Sequence, residues 1–259
     1  MIKKTLISLA KTILPKSIKD YLFHFAFNVN HSEFEYFAYK YANAPNMKFA
    51  LLAIKNLEFH PEKILDIGAY HGDWARMAHD VWPEASLIMI EGNEEKRSIL
   101  EVVANDLQAD LKINLLGASD GEQVEFIVME SGSSVFEEES PVERKKQKKT
   151  LTTLDSLLEG ENVDFIKIDT QGYELEVFRG GIKTLAKAQA VLMEVSLIEI
   201  NKGAPLIEEV LTFMKMQGFV SYDIVEIHRR PLDGATNQID ILFVRHDSFL
   251  IANKAHYEE

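Results

Sequence analysis

From Lys63 onward, short apolar runs of β type alternate with segments of helical periodicity, and this alternation constrains the fold most strongly. We predict strands at Lys63–Ile67, Ser86–Glu91, Leu111–Ala118, Val163–Asp169, Ala190–Val195, Val220–Ile227 and Ile239–Arg245. Helices are predicted between them, at Asp73–Val81, Glu94–Leu107, Leu154–Leu158, Glu174–Leu185 and Leu206–Met216. Strands that alternate with helices need crossover connections, so the pattern indicates an α/β fold with a doubly wound, mainly parallel sheet.

The last two predicted strands have no helix between them, so we expect an antiparallel pair at one sheet edge. An extra strand at Val124–Met129 should pair back onto the sheet or onto a neighbouring loop. Residues 130–149 carry an acidic trio and a basic cluster, which favours a solvated loop. A clamp for an acidic substrate is the alternative for this segment.

Residues 1–60 lack this alternation of strand and helix patterns. They are predicted to form a helical N-terminal extension, with the α/β domain spanning residues 61–259. Residues 1–19 contain five lysines and no acid, with apolar residues at roughly helical spacing. The simpler interpretation is a helix packed on the protein body, and the alternative is peripheral contact of residues 1–20 with an anionic membrane. No apolar run is long enough for a transmembrane helix. We expect a cytoplasmic protein, with membrane-peripheral placement as the alternative.

Composition excludes several partners and chemistries. The formal net charge of −13 opposes a phosphate backbone, so we expect no nucleic-acid partner. The chain has no cysteine, which excludes disulfides, thiolate zinc sites and a cysteine nucleophile.

The loop after the first predicted strand indicates the class of ligand. Segment Asp66–Gly72 reads DIGAYHG, and ligands of open α/β sheets bind where such a loop meets a helix. Its glycine spacing fits neither the dinucleotide fingerprint nor a P-loop. An acidic loop would repel a pyrophosphate but suits the sulfonium and ammonium of S-adenosylmethionine, although a purely structural turn is the alternative. We therefore assign to this cofactor Asp66, Gly68, Ala69, Tyr70 and Gly72.

The next two strand ends extend the predicted cofactor site. Glu91 ends the second predicted strand and is followed by Gly92, and its carboxylate can accept both ribose hydroxyls. Its alternative role is to stabilise the N-terminus of the following helix. The third predicted strand ends near residues 117–121, over the expected adenine position, where we assign Ala118, Ser119 and Asp120.

Six motifs follow one another along residues 63–245: ILDIGAYHGDW (64–74), IEGNEEK (90–96), GASDGEQVEF (117–126), TLDSLL (153–158), DFIKIDTQGYELEVFRGG (164–181) and DILFVR (240–245). Their order resembles the FkbM family of methyltransferases. The resemblance implies a class I methyltransferase (Rossmann-like) fold, S-adenosylmethionine as methyl donor, and O-methylation of a sugar, glycan or polyketide-like hydroxyl. The sequence departs from the family pattern at Tyr70 or His71, where Asn is common, and at Gln171, where Glu is common.

Four residues are candidates for the chemistry, because methyl transfer to a hydroxyl needs alignment and often a base. Asp169 ends the fourth predicted strand, and Lys167 points to the same face of the sheet. Glu194 lies near the end of the fifth strand, and His228, which follows the sixth, titrates near neutrality.

Three of these residues also have a purely structural interpretation. Asp169 could cap a helix with Lys167 as its counter-ion, and His228 could be an exposed loop histidine. Asp169 and Glu194 together are oxygen ligands of the kind that hold a divalent cation, but no clear ligand set surrounds them, so we assign no metal.

The sequence therefore predicts an S-adenosylmethionine-dependent O-methyltransferase whose acceptor is a carbohydrate or small-molecule hydroxyl. One alternative is O- or N-methylation of a small secondary metabolite. Methylation of an amide nitrogen is disfavoured, because residues 169–173 read DTQGY rather than an Asn/Asp-Pro-Pro-Tyr motif. The alternative from another class is a non-catalytic, membrane-peripheral binding protein with a retained cofactor pocket. The sequence does not indicate an oligomeric state.

Overall fold

The computed structural model describes residues 15, 17–18, 44–129, 133–136 and 144–255. The chain divides into two compact units, Met1–Pro45 and Asn46–Glu259. The membrane-contact prediction for residues 1–20 lies almost entirely outside the described residues, and so does the acidic trio at 137–139. Within the described part of the chain, no helix has the length and apolarity needed to cross a bilayer.

The second unit is built from strands and helices that alternate along most of its length. The elements are α1 (Met47–Asn56), β1 (Lys63–Ile67), α2 (Asp73–Val81), β2 (Ser86–Glu91), α3 (Arg97–Leu107), β3 (Asp110–Ile113), β4 (Gln123–Val128), β5 (Lys145–Thr150), α4 (Leu154–Leu157), β6 (Phe165–Ile168), α5 (Glu174–Arg179), α6 (Ile182–Lys187), β7 (Ala190–Ser196), α7 (Ile207–Met216), β8 (Phe219–Arg229) and β9 (Thr236–Arg245). Short 3₁₀ turns lie at Glu94–Lys96 and Phe249–Ile251.

The main sheet has seven strands in the order β3-β2-β1-β6-β7-β9-β8. The first five strands in that order pair in parallel, whereas β9 runs antiparallel to both β7 and β8. The predicted α/β class, with a doubly wound, mainly parallel sheet of class I methyltransferase type, is therefore confirmed. The predicted antiparallel pair is the β8–β9 hairpin, in which β8 takes the edge.

Helices cover both faces of this sheet, which explains why its central strands read as nearly continuous apolar runs. One face packs against α4, α5, α6 and α7, and the other against α1, α2 and α3. Leu51 and Ile54 of α1 are fully buried in the same cluster as Phe165 and Leu242 of the sheet. Helix α1 thus belongs to the core of the second unit, and the proposed domain boundary at residues 60–61 stays a prediction.

Strand β3 is shorter than the predicted strand Leu111–Ala118, because the chain leaves the sheet after Ile113. Leu116 makes only an isolated bridge to Thr152, and the Gly117 carbonyl packs against Gly180, where a Cβ would lie 2.1 Å from its oxygen. The rim of the sheet therefore falls at residue 114 rather than at residues 117–121.

The predicted helix Glu174–Leu185 is two helices, α5 and α6, separated by Gly180 and Gly181. A Cβ at Gly181 would lie 2.7 Å from Leu154, so this stretch of backbone packs too closely on its neighbours for larger residues. The interruption is a packing requirement that helical periodicity alone did not show.

The prediction that residues 130–149 form a solvated loop is wrong for the last part of this segment. Lys145–Thr150 forms β5, which pairs antiparallel with β4 in a separate two-stranded sheet. Strand β4 confirms the extra strand predicted at Val124–Met129. The register places Glu125 opposite Lys148, and Lys146 Nζ lies 3.3 Å from Glu125 Oε2, so cross-strand charge pairing accommodates a lysine-rich strand.

Candidate active site

A cavity of about 210 Å³ opens at the carboxyl ends of β1, β2 and β6. This edge of an open α/β sheet is where ligands of such folds bind. Several predicted residues line it, namely Gly68, Tyr70, Glu91, Gly92 and Asp169. Others that were not among the predicted site residues line it too, including Asn93, Lys96, Asn114, Leu115, Leu116, Ser133, Ser134, Gln171 and Tyr173.

The loop after β1 lies tightly against the strand ends. Gly68 has a φ of +78°, and a Cβ there would lie 1.8 Å from the carbonyl oxygen of Asp169, so only glycine fits. Gly72 has a φ of +79° and abuts Val103, to which a Cβ would come within 2.7 Å. Gly72 and the buried Ala69 are not among the described residues that line the cavity, so their role is in the conformation of the loop.

Tyr70 adopts a left-handed backbone conformation, with a φ of +51°. Asn and Gly favour this region, which gives a physical reason for the Asn that is common in FkbM-like loops. Here the Tyr70 N–H donates to Glu91 Oε2 at 2.9 Å, and its ring stacks on His71 with centroids 3.7 Å apart. These contacts hold a bulky residue in a conformation that it rarely adopts.

Glu91 ends β2 at the cavity, as predicted for the residue that meets the ribose. Its Oε2 accepts from Tyr70, and its Oε1 accepts the Asn93 N–H at 2.7 Å. Burial raises the pKa of Glu91, and the two backbone hydrogen bonds oppose part of that rise. Each carboxylate oxygen keeps a second lone pair for a ligand hydroxyl. Gly92 follows at a position where a Cβ would meet Leu115 at 2.8 Å.

The structure does not bring Ala118, Ser119 and Asp120 to the described lining of the cavity. The Asp120 carboxylate instead accepts the Thr153 N–H at 2.7 Å and the Ser156 hydroxyl at 2.6 Å, at the start of α4. These bonds, the one from Ser156 foremost, lower the pKa of Asp120. Because β3 ends early, the wall expected for adenine is formed by Asn114, Leu115 and Leu116.

Asp66 and Lys167 form a buried ion pair behind the loop. Asp66 is fully buried, and its Oδ1 lies 3.4 Å from Lys167 Nζ, which is 3.9 Å from Asp169 Oδ2. Burial raises the pKa of Asp66, while the Lys167 ammonium opposes the rise. Burial alone would lower the pKa of Lys167, but Asp66 and Asp169 outweigh it and raise that pKa above its ordinary value. Neither Asp66 oxygen accepts a hydrogen bond of normal geometry within the described structure.

A side-chain amide links the two predicted catalytic acids. Gln171 Nε2 donates to Asp169 Oδ1 at 2.8 Å and to Glu194 Oε2 at 3.1 Å. Gln238 Nε2 donates to the same Glu194 oxygen at 2.6 Å. Burial first, and then the nearby carboxylates of Asp169 and Asp240, raise the pKa of Glu194 well above its ordinary value.

The backbone around Gln171 is also held in place. Gln171 has a φ of +55°, and its carbonyl accepts from the Ser134 hydroxyl at 2.9 Å and from Asn201 Nδ2 at 2.8 Å. Glu174 accepts the N–H groups of Thr170 and Gly172 at 2.8 and 3.1 Å, which makes it a cap for the turn. Burial raises the pKa of Glu174 to about 7.

His228 lies within β8 rather than after it, and its side chain is 38% exposed. Its Nε2 lies 2.7 Å from Oδ2 of Asp240, a buried residue of β9. The hydrogen bond to Asp240 raises the pKa of His228, and partial burial opposes the rise. The hairpin register pairs His228 with Gln238 and Glu194 with Asp240, so the dyad lies next to the network around Glu194.

A family model described as "Methyltransferase FkbM domain" matches residues 66–221. The match covers more than half of the chain and includes the end of β1, the Glu91 region and the whole DFIKIDTQGYELEVFRGG block. The chain belongs to the FkbM methyltransferase family. It is therefore an S-adenosylmethionine-dependent methyltransferase, as the resemblance implied.

Solved structures of similar fold include other methyltransferases. The FkbM methyltransferase of Methylobacillus flagellatus is 15% identical with a TM-score of 0.45, covering 70% of this chain and 43% of that one. The N-terminal domain of EvdMO1, solved with SAH bound, is 11% identical with a TM-score of 0.47, covering 78% and 81%. An O-methyltransferase family protein of Burkholderia thailandensis is 9% identical with a TM-score of 0.43, covering 75% and 52%. No curated protein matches the sequence.

The residues of this FkbM domain fit S-adenosylmethionine. Glu91 and Asp169 place carboxylates in the lining of the cavity, which favours a ligand with a sulfonium and an ammonium. The close packing of Gly68 on the Asp169 carbonyl holds the loop after β1 against the end of β6. In the described residues, no group of three or more His, Asp or Glu side chains is placed to hold a metal ion. That the FkbM domain works without metal stays a prediction.

Proposed function

We propose that this FkbM-family enzyme methylates a hydroxyl group of a sugar, glycan or glycoconjugate. S-adenosylmethionine supplies the methyl group when bound. The observation that carries the proposal is Asp169, a carboxylate 31% exposed in the cavity wall and fixed from both sides by Lys167 and Gln171. A fixed carboxylate at the reaction centre suits an acceptor that must be oriented through its O–H.

Asp169 accepts a hydrogen bond from the acceptor hydroxyl in this proposal and directs its oxygen. The Lys167 ammonium lies 3.9 Å from Asp169 Oδ2, and the Gln171 amide sets the carboxylate plane. Glu194 shares the amide of Gln171, so it acts on Asp169 through that amide rather than by contact with the acceptor.

The His228–Asp240 dyad is the second group able to take the proton. Asp240 orients the imidazole and raises its pKa, so His228 is suited to receiving a proton near neutral pH.

Asp240→Asn should lower the pKa of His228, which NMR titration of its imidazole measures directly. If the dyad is the base, the acidic limb of the rate profile shifts to lower pH with it. If the acidic limb of the rate profile does not move and the Asp169→Asn variant is inactive, Asp169 is the group that takes the proton.

The carbohydrate preference is supported by the mixed lining of the cavity. Ser133, Ser134 and Tyr173 line it, and the Tyr173 ring packs edge-on against Phe136 with ring centroids 5.4 Å apart. A lining that mixes polar and aromatic side chains suits a sugar, whose rim is polar and whose faces are apolar. The net charge of −13 supports an acceptor other than nucleic acid. Cytoplasmic location and membrane contact through residues 1–20 stay predictions.

A methyl-transfer screen tests the proposed function. Purified protein and labelled S-adenosylmethionine are incubated with nucleotide sugars, oligosaccharides, small phenols and amines. We expect label in a methyl ether of a carbohydrate, and its loss with Asp169→Asn. Label found only in amines contradicts the proposal, and label found only in phenols moves the acceptor to a small metabolite.

A further inference from the structure

The charges of the cofactor are only partly matched by the acids of the cavity. S-adenosylmethionine carries a sulfonium, an ammonium and a carboxylate, and acidic side chains suit only the first two. A carboxylate taken out of water needs a cation or N–H donors. Among the described residues that line the cavity, Lys96 is the only one with a basic side chain.

Lys96 lies directly over the loop that follows β1. It ends the 3₁₀ turn after β2, and its Nζ lies 4.2 Å from the centroid of the Tyr70 ring and 3.2 Å from His71 Nε2. The two rings are stacked on each other, so they form one platform beneath the ammonium. The Tyr70 ring gives the ammonium a cation–π contact, and His71 Nε2 is within hydrogen-bonding distance of it.

The other candidate for binding a carboxylate is the N-terminus of α2, at the end of the same loop. Helix N-termini attract anions, but α2 begins with Asp73, whose carboxylate occupies its first turn. A second carboxylate placed there would be repelled at short range. The charge pattern therefore favours the lysine over the helix.

We propose that Lys96, positioned by Tyr70 and His71, binds the carboxylate of the methionine moiety of S-adenosylmethionine. This inference rests on the same cofactor site as the proposed function. The amine and the carboxylate form a charge-assisted hydrogen bond, which is stronger than one between neutral groups. In this proposal Tyr70 and His71 position Lys96, which small or amide side chains at these places in the loop would not do.

Calorimetric titration of the full chain tests the proposal without an acceptor. The two probes are S-adenosylmethionine and its decarboxylated form, which keeps the sulfonium and the amine. We expect Lys96→Met to lower affinity for S-adenosylmethionine by about tenfold or more, and to leave affinity for the decarboxylated probe unchanged. Lys96→Arg should retain most of the preference for the carboxylate.

The matched control is Lys145→Met, which removes the same charge from an exposed lysine beside Glu95, at 3.9 Å. It should bind both probes as the wild type does. Equal losses for both probes in Lys96→Met would make Lys96 structural, and no loss would assign the carboxylate to backbone amides; either result overturns the proposal. If the wild type binds neither probe, the proposed function fails with it.

Discussion

Individual residues at the rim of the sheet decide how closely the loops pack against the strand ends. Gly68 is the extreme case, since it combines a left-handed backbone with van der Waals contact to Asp169. Gly121 has nearly the same φ, +80°, but a Cβ there would meet nothing within 4 Å. The two glycines therefore separate backbone strain from steric exclusion.

Gly68→Ala should destabilise the protein more than Gly121→Ala. Both variants bear the left-handed cost of about 1–2 kcal/mol, and only the first must also displace the Asp169 backbone. Thermal unfolding measures the difference, and titration with S-adenosylhomocysteine should show lost binding for Gly68→Ala alone. Equal melting temperatures for the two variants would contradict the packing described at Gly68.

Residue roles were predictable where they depend on local sequence. Gly68 directly follows β1 and Glu91 ends β2, so their place at the cavity could be inferred from spacing, whereas the buried pairing of Asp66 with Lys167 behind the loop could not. The partnership of His228 with Asp240 could not, because it depends on the register between β8 and β9, which contains bulges. The Gln171 bridge to Glu194 likewise joins two strand ends whose proximity exists only in the folded sheet.

The early end of β3 determines which residues form one wall of the cavity. Apolar periodicity predicted a strand through Ala118, but the contact between Gly117 and Gly180 turns the chain away earlier. That contact joins positions far apart in sequence, so no local pattern revealed it. The lysine-rich β5 was missed for a related reason, since its pairing with β4 supplies the stabilisation that its own composition lacks.

This reassignment predicts opposite behaviour for two polar residues. Asp120→Ala should leave affinity for S-adenosylhomocysteine unchanged and lower stability slightly, because it removes hydrogen bonds at the start of α4. Asn114→Ala should weaken cofactor binding with little loss of stability. Calorimetry and denaturant unfolding separate the two effects. Weakened binding in Asp120→Ala would restore the assignment made from sequence.

At the scale of the whole molecule, carboxylates outnumber basic groups around the cavity, and burial raises several of their pKa values. Asp66, Glu91, Glu174 and Glu194 all shift in the same direction. A carboxyl that holds its proton more tightly when folded contributes stability at low pH, which is lost as pH rises from its unfolded to its folded pKa. The protein without cofactor should therefore lose stability between mildly acidic and neutral pH.

Glu174→Gln isolates one of these groups. The pKa of Glu174 rises from 4.5 to about 7 on folding, so wild-type stability relative to the variant should fall across that interval and level off above it. Denaturant unfolding at several pH values gives the difference. A difference that grows with pH over the same interval would show that Glu174 is ionised in the folded protein.

The central claim is that this rim holds S-adenosylmethionine through Glu91 and uses Asp169 on the acceptor. Titration of wild type, Glu91→Ala and Asp169→Ala with S-adenosylhomocysteine tests it most directly. We predict binding by the wild type, about tenfold or more weaker binding by Glu91→Ala, and wild-type affinity for Asp169→Ala. No heat from the wild type at millimolar ligand, or equal losses in both variants, would contradict the account.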